Sequence, residues 1–234
     1  MKRNLILILL LCFSLTMVLS GCSSANNDAE KTPAPAQTDT SWQDIQDKGY
    51  FVMGLDDAFP PMGFRDEKNE IVGFDIDLAK EVAKRLGVDV KFQTIVWESK
   101  LEEINSGNID VIWNGFSITP ERQKEYLFTK PYIKNRQVIV VTADSPIKTK
   151  ADLEGKKIGI QAGSSAQDAV LADKATYEVI KDNLFEFDDN VMAMKDLKGS
   201  GLDAVVVDII VGKYYVSKHP GAYKFLEEDF VAED

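Results

Sequence analysis

One stretch of the chain places an arginine just beyond a predicted strand, in VIWNGFSITPER, residues 111–122. An apolar run ends in Asn114 and Gly115, the chain turns through Ser117, and Arg122 follows a turn later. A guanidinium binds a carboxylate through two parallel hydrogen bonds, and backbone amides at turns and helix starts add donors. The stretch therefore has the groups needed to bind a small carboxylic acid.

Other polar and aromatic residues also follow predicted strands, where open parallel sheets bind their ligands. The candidate binding residues are Asp56, Phe59, Trp97, Asn114, Gly115, Ser117, Arg122, Gln161, Ser164, Ser165 and Asp208. In this set Arg122 suits a carboxylate and Asp208 suits an ammonium group, while the rings provide apolar walls and cation–π contact. Together they complement a small zwitterion.

The first half of the chain alternates between strand and helix patterns. The predicted strands are YFVMGL (50–55), VDVKFQTIV (88–96) and IDVIW (109–113), and the predicted helices are DIDLAKEVAKRLG (75–87) and ESKLEEINSG (98–107). Short apolar runs favour the strands, and an apolar helical stripe from Ile76 to Leu86 and the glycines that end the helices support the helices. The order β-α-β-α-β predicts a parallel sheet covered by helices.

A second series of the same kind follows. Its predicted strands are QVIVVTA (137–143), KKIGIQ (156–161), YEVI (177–180) and LDAVVVD (202–208), and its predicted helices are SSAQDAVLADK (164–174), DDNVMAMKDLKGSG (188–201) and IIVGKYYVSK (209–218). We therefore expect a first lobe at 42–134, a hinge crossing at 135–140 and a second lobe at 141–234. The cleft between two such lobes is the natural ligand site.

The N-terminus resembles an export signal. Lys2 and Arg3 precede an apolar run that is too short to span a membrane, so residues 1–21 are predicted to be a signal peptide. Leu-Ser-Gly-Cys at 19–22 resembles a bacterial lipobox, which predicts lipidation of Cys22; a cleaved signal with an accidental cysteine is the alternative. Residues 22–41 are polar and rich in Pro and Ala, which indicates a flexible tether.

Composition excludes several classes of function. The formal net charge of −11 disfavours nucleic acid, which needs basic patches, and argues against direct adhesion to anionic lipid. The chain has two cysteines, both within residues 1–22, and one histidine, His219, so we expect no metal site and no cofactor. We expect a monomer.

Four stretches together resemble one known family, the extracellular solute-binding proteins of polar amino-acid ABC transporters (bacterial family 3). They are GLDDAFPPMGFRDEKNEIVGFDIDLAKEVAKRLG, WNGFSITPERQKEYLFTKPY, DLEGKKIGIQAGSSA and GLDAVVVD, and they follow one another in family order. The resemblance implies a two-lobed type II periplasmic-binding-protein fold, with a largely parallel sheet and helices in each lobe. It also implies an extracytoplasmic receptor, lipid-anchored on a Gram-positive surface or on the periplasmic side of a Gram-negative membrane, that serves a permease and its ATPase.

The resemblance implies a role for each candidate residue. Arg122 would bind the ligand α-carboxylate with the backbone amides of Ser117 and Ser165, and Asp208 would bind the α-ammonium with the Gly115 carbonyl and the Ser117 hydroxyl. Phe59 and Trp97 would enclose the ligand side chain. Asp56, Asn114 and Gln161 would choose among ligands.

Each residue also has a simpler explanation. Arg122 could pair on the surface with Glu121 or Glu125, and Asp208 could cap the helix that follows it. Phe59 and Trp97 could be core residues, and Asn114 and Gln161 could satisfy loop amides. Asp75 and Asp77 are interpreted as favourable charges at a helix start, Asp188 and Asp189 likewise, and Met192 and Met194 as packing residues.

Two other functions compete with the receptor hypothesis. A dehydratase on the same scaffold would need an acid or base in the cleft, for which Asp56, Asp57 and Asp208 are the candidates. A sensor, or a non-functional truncated lipoprotein, is the other alternative. Family members normally continue with a second crossing strand and helices, so the first lobe is expected to have an uncovered sheet edge.

Overall fold

The computed structural model describes residues 39–230 and 232–233 of the 234-residue chain. The predicted signal peptide, Cys22 and nearly all of the predicted tether lie outside the described residues. Within the described part, no helix is long and apolar enough to cross a membrane.

The first lobe, as we use the term, comprises the elements from α1 to β6 and the segment that follows to residue 134. Its helices and strands are α1 (Ser41–Lys48), β1 (Tyr50–Leu55), β2 (Ala58–Phe59), β3 (Gly63–Arg65), β4 (Ile71–Val72), α2 (Phe74–Leu86), β5 (Asp89–Thr94), α3 (Lys100–Asn105) and β6 (Val111–Ile112). Short 3-10 helices lie at Trp97–Ser99 and Arg122–Lys124. The order β5-β1-β6 is parallel throughout, which confirms the prediction from alternating elements.

The second lobe comprises the elements from β7 to β12. They are β7 (Asn135–Thr142), β8 (Ile158–Gln161), α4 (Ser165–Ala172), α5 (Lys174–Ile180), β9 (Leu184–Phe187), α6 (Asn190–Lys198), β10 (Ala204–Asp208), α7 (Ile209–Lys218), β11 (Tyr223–Phe225) and β12 (Ala232–Glu233). The sheet order is β11-β7-β10-β8-β9, and β12 also pairs with β7. Only β7 runs against the other strands of this sheet, so the sheet is largely parallel.

Hydrophobic burial explains the main sheet of each lobe. In the first lobe, Met53 and Leu55 of β1 pack against Ile76 and Ala79 of α2, on the helix stripe that the sequence predicts. In the second lobe β8 and β10 are buried along their whole length, as expected for strands covered by helices on both faces. Phe59 and Met62 of the first lobe belong to a cluster with second-lobe side chains, so apolar contacts join the two lobes.

One predicted strand is wrong. Residues 177–180 form the last turn of α5, and the strand that joins the sheet is β9, a few residues later. Asp173 begins this helix by accepting a hydrogen bond from the Thr176 backbone amide at 3.2 Å. Ile180 is fully buried, whereas Val179 is exposed, which fits one face of a helix. A four-residue apolar run does not distinguish these two states by its pattern alone.

Candidate functional site

The candidate binding residues converge at the carboxyl ends of strands in both lobes. One small cavity is lined by ten of the eleven, namely Phe59, Trp97, Asn114, Gly115, Ser117, Arg122, Gln161, Ser164, Ser165 and Asp208. The eleventh, Asp56, follows β1 and accepts a hydrogen bond from Gln161 at 2.7 Å. The structure therefore brings all eleven residues together, although the first, Asp56, and the last, Asp208, are 152 positions apart in the chain.

The cavity is narrow because the lobes touch across it. Its volume is about 10 Å³, which is at the lower limit for one water molecule. A Cβ atom added to Gly163 of the second lobe would lie 2.8 Å from the Cα of Glu98 in the first lobe. Gly163 also has a φ of +64°, so both the close approach and the backbone favour glycine there.

Arg122 lies at the start of the 3-10 helix Arg122–Lys124, with its side chain only 10% exposed. Its guanidinium donates to the Ser117 carbonyl oxygen at 3.0 Å and to the Asp168 carboxylate at 3.3 Å. It also lies over the Phe116 ring, with 4.5 Å between Cζ and the ring centroid. This ion pair joins the two lobes, because Asp168 belongs to α4 of the second lobe, and Arg122 lines the cavity.

Asp208 lies at the end of β10 and is buried. Its carboxylate accepts hydrogen bonds from the side-chain amides of Asn135 and of Gln137, the latter at 2.9 Å. Its side chain makes no capping hydrogen bond with α7, so the capping interpretation is wrong in that respect. Two neutral donors hold this carboxylate at the cavity wall.

Two serines meet where the lobes touch. The hydroxyls of Ser117 and Ser165 are 3.2 Å apart, and Gln137 donates to Ser165 Oγ at 3.1 Å. Ser165 is the first residue of α4, and Ser164 caps that helix by accepting from the Gln167 amide. The positive end of the α4 dipole therefore faces the cavity near Arg122, which makes this side favourable for an anion.

Asp56 is a buried carboxylate beside the cavity, and it contacts the lining residue Gln161. Burial raises its pKa to about 6, against the hydrogen bonds from Gln161 and the Ala58 amide, which lower it. Asn114 accepts from the Asp56 backbone amide at 3.1 Å, so it does satisfy a loop amide. Its Nδ2 has no hydrogen-bond partner within the described residues, and Asn114 lines the cavity.

The two aromatic residues are buried at the cavity wall as well. Phe59 lies against Gly115, where an added Cβ would be 3.1 Å from Phe59 Cε1, and Gly115 has a φ of +59°. Trp97 makes an edge contact with Phe116 at 5.9 Å between ring centroids. These residues are core residues and cavity residues at once, so the two interpretations are not exclusive.

Sequence reasoning missed the role of Asp75. It lies in the first turn of α2, but its fully buried carboxylate accepts from the Gly115 amide at 3.0 Å and from the Tyr132 hydroxyl at 2.8 Å. Burial raises the pKa of Asp75 to about 6, although these two hydrogen bonds oppose the change. An aspartate at a helix start usually serves that helix, so its position gave no signal of a contact with the Gly115 loop.

Lys100 was also missed. Its ammonium group crosses the cleft and donates to the Gly163 carbonyl at 2.6 Å and to the Trp97 carbonyl at 3.1 Å. Burial and, to a smaller extent, the neighbouring charge of Arg122 lower the pKa of Lys100 to about 8. A lysine in the pattern of an exposed helix carries no sequence signal for such a contact.

The fold and the site define a class of protein. Two α/β lobes with a polar cavity between them, at the carboxyl ends of their strands, are the arrangement of the type II periplasmic binding proteins. The family model of the bacterial extracellular solute-binding proteins, family 3, matches residues 51–219. The chain belongs to this family.

Curated relatives include two amino-acid-binding proteins. The L-cystine-binding protein TcyJ of Escherichia coli (strain K12) is 30% identical over 176 residues, which are 74% of this chain and 64% of TcyJ. The arginine-binding extracellular protein ArtP of Bacillus subtilis (strain 168) is 28% identical over 234 residues, which are 100% of this chain and 84% of ArtP. The chain thus spans somewhat less than two thirds of TcyJ.

Solved structures agree in fold. The arginine-bound form of truncated ArgBP (residues 20–233) from T. maritima is 37% identical, with a TM-score of 0.73 over 82% of this chain and 88% of that chain. A substrate-binding protein of an ABC uptake transporter from Streptococcus pneumoniae, with bound histidine, is 33% identical, with a TM-score of 0.73 over 84% of this chain and 83% of that chain. These relatives are binding proteins by name, and their family is extracellular.

Proposed function

We propose that this protein is an extracytoplasmic receptor that binds a free amino acid and delivers it to the permease of an ABC transporter. The observation that carries the proposal is that Arg122 and Asp208 both line one cavity. A cation and an anion held at fixed places in a buried site match the two charges that every free amino acid shares.

The ligand α-carboxylate binds at the Arg122 side. The Ser117 carbonyl and the Phe116 ring both contact the guanidinium, and together they fix its orientation. The first backbone amides of α4, at Ser165, add donors and the favourable end of the helix dipole. The α-ammonium binds at Asp208, with the Gly115 carbonyl and the Ser117 hydroxyl as further acceptors.

The ligand side chain extends between Phe59 and Trp97 toward Asp56, Asn114 and Gln161. Burial raises the Asp56 pKa to about 6, so this carboxylate is mostly ionised at pH 7. An anion between two aromatic walls favours a side chain that ends in a cation or in N–H donors. The arginine and histidine ligands named for related structures have such side chains.

Binding requires the lobes to separate and close again. An amino acid is larger than the cavity of about 10 Å³, so the ligand enters when the lobes are apart. The predicted hinge crossing, residues 135–140, falls in β7, which pairs with β10 and β12 over this part of the chain. Hinge motion here would turn the first lobe against the second-lobe sheet.

The N-terminal signal and Cys22 support a lipid anchor on the outer face of the cell membrane, on a Gram-positive surface by analogy with anchored receptors. The tether of residues 22–41 would let a monomeric receptor reach the permease, which works with its ATPase. The net charge of −11 disfavours nucleic acid as a partner. The proposal includes no cofactor.

The test is a thermal melt of the chain from residue 23 onward, alone and with each common amino acid or cystine. At a ligand concentration of about 100 Kd, we expect the cognate amino acid to raise Tm by roughly 5–10 °C. Arg122→Ala should abolish this increase. The matched control is Arg85→Ala, because Arg85 is an exposed helix arginine that pairs with Glu81 far from the cavity. A wild-type melt that responds to none of these ligands would contradict the proposal.

A further inference from the structure

The side-chain amide of Gln161 has an orientation that its neighbours determine. Its Nε2 donates to Asp56 Oδ2 at 2.7 Å and to the Asp188 backbone carbonyl at 3.1 Å. A carbonyl oxygen and an ionised carboxylate accept hydrogen bonds but do not donate them. The NH2 group therefore faces these two acceptors, and Oε1 faces the other way.

Asn190 completes this arrangement from the other side. Its Nδ2 donates to Gln161 Oε1 at 2.7 Å, and its side chain is buried at the start of α6. Its own Oδ1 has no hydrogen-bond partner within the described residues. The hydrogen bond to Gln161 is therefore the polar interaction that accounts for a buried asparagine at this position.

We propose that Asn190 is a positioning residue, which holds the Gln161 amide as a donor to Asp56 across the cleft and so determines the class of ligand side chain that the site accepts. This inference rests on the proposed amino-acid binding. With Gln161 held in this way, Gln161 and the Ala58 backbone amide both donate to the Asp56 carboxylate and favour its ionised form. An ionised carboxylate offers the ligand only hydrogen-bond acceptors. Ligand side chains with a cation or N–H donors are accepted, and side-chain carboxylates are rejected.

The titration of Asp56 reports on this network without any ligand. The hydrogen bond from Gln161 lowers the Asp56 pKa, while burial and the facing carboxylates of Asp189 and Asp57 raise it. If Asn190 no longer orients Gln161, the donor is lost for part of the time. The pKa of Asp56 should then rise above its value of about 6.

The experiment is an NMR titration of the Asp56 carboxyl carbon in ligand-free protein, for wild type and for Asn190→Ala and Asn190→Ser. Neither replacement reaches Gln161, and the serine keeps a polar group at the helix start. We expect the Asp56 pKa to rise by roughly half a unit or more, as for the loss of one hydrogen bond. An unchanged Asp56 pKa in the two variants would overturn the proposal.

The matched control is Asp189→Ala. Asp189 caps the same helix by accepting from the Met192 amide at 2.7 Å, so its loss weakens the start of α6 but leaves Asn190 and Gln161 in place. It also removes a negative charge that faces Asp56, so the Asp56 pKa should fall. A higher Asp56 pKa in the Asn190 variants and a lower one in Asp189→Ala would show that the Asn190 effect comes from the orientation of Gln161 and not from a weakened α6.

A binding series separates this inference from the proposed function. Asn190→Ala should lower the affinity for the cognate amino acid by about 3- to 10-fold. The affinity for free alanine as a ligand should change little, because alanine lacks a long side chain. If wild type binds no amino acid, the proposed function fails, whereas the titration still tests the role of Asn190. If wild type binds and Asn190→Ala changes neither the titration nor selectivity, only the inference on Asn190 fails.

Discussion

Arg122 and Asp208 belong to different lobes, and the two lobes hold them by different means. Asp208 and Gln161 of the second lobe lie at the ends of β10 and β8, strands that are buried along their whole length in a six-stranded sheet. Arg122 of the first lobe begins a 3-10 helix of three residues, ten positions after β6, a strand of two residues. Asp208 is held by a packed strand and by two hydrogen bonds, whereas Arg122 is held without a strand, by hydrogen bonds and one aromatic contact.

The two lobes also differ in packing, which is looser beside β6 of the first lobe. Beside β6 lies a cavity of about 480 Å³ with largely apolar walls, lined in part by residues 125–133. In the same segment Leu127 is fully exposed, and Tyr132 and Ile133 are partly exposed. Fewer buried contacts leave a region with lower local stability, so the first-lobe half of the site should be the more adaptable half.

The largest expected effect is on stability. Ile160→Ala in β8 removes a fully buried side chain from the second-lobe core and should lower the free energy of unfolding by about 2–5 kcal/mol. Leu127→Ala in the first lobe should change it by no more than about 0.5 kcal/mol, since Leu127 is fully exposed. Urea denaturation of both variants measures the difference. Equal losses would break the contrast between the lobes.

A smaller effect is expected on binding, from the same chemical change at two carboxylates. Asp208→Asn should weaken amino-acid affinity by about 100-fold, because it removes the buried charge that we propose binds the ligand ammonium. Asp168→Asn should weaken it by no more than about 5-fold, since Asp168 is 62% exposed although it pairs with Arg122. Isothermal titration calorimetry gives both values, and similar losses would mean that burial does not separate the two residues.

A third effect concerns the pH dependence of stability in the first lobe. The folded protein binds a proton at Asp75 between pH 4 and 6 that the unfolded chain releases, because burial raises its pKa from 3.8 to about 6. This stabilisation is complete below pH 3.8 and is lost as pH rises through 6. The free energy of unfolding of wild type should therefore fall, relative to Asp75→Asn, as pH rises from 4 to 6.5. Parallel curves from denaturation at each pH would contradict it.

Strong local patterns made much of the fold predictable. Tyr50–Leu55 and the helix Ile209–Lys218 have the predicted bounds, because an apolar run or a helical stripe ends there at clear turn and capping signals. Short elements were less predictable. The strand predicted at 109–113 is reduced to Val111–Ile112, and the small sheet β2-β3-β4 was not foreseen, because neither has a periodic pattern of sufficient length.

The candidate site was predictable as a set of residues but not as a network. Residue type and position after a strand selected Arg122, Asp208 and Gln161, since strand ends of parallel sheets meet at one edge. The partners that orient them were not selectable in this way. Asn190 and Asp75 lie at helix starts, where asparagine and aspartate are common for local reasons that conceal a long-range contact.

The sequence by itself determined the two-lobed α/β architecture, the family and the residues that converge on the cleft. These features depend on local apolar patterns and on the order of the elements, and both can be seen directly in the sequence. Tertiary structure alone decided that Asp75 holds the Gly115 loop, that Lys100 crosses to Gly163, and that Asn190 orients Gln161. These contacts join residues 29 to 63 positions apart in the chain. They depend on which buried donor meets which acceptor after packing, and no local pattern encodes that choice.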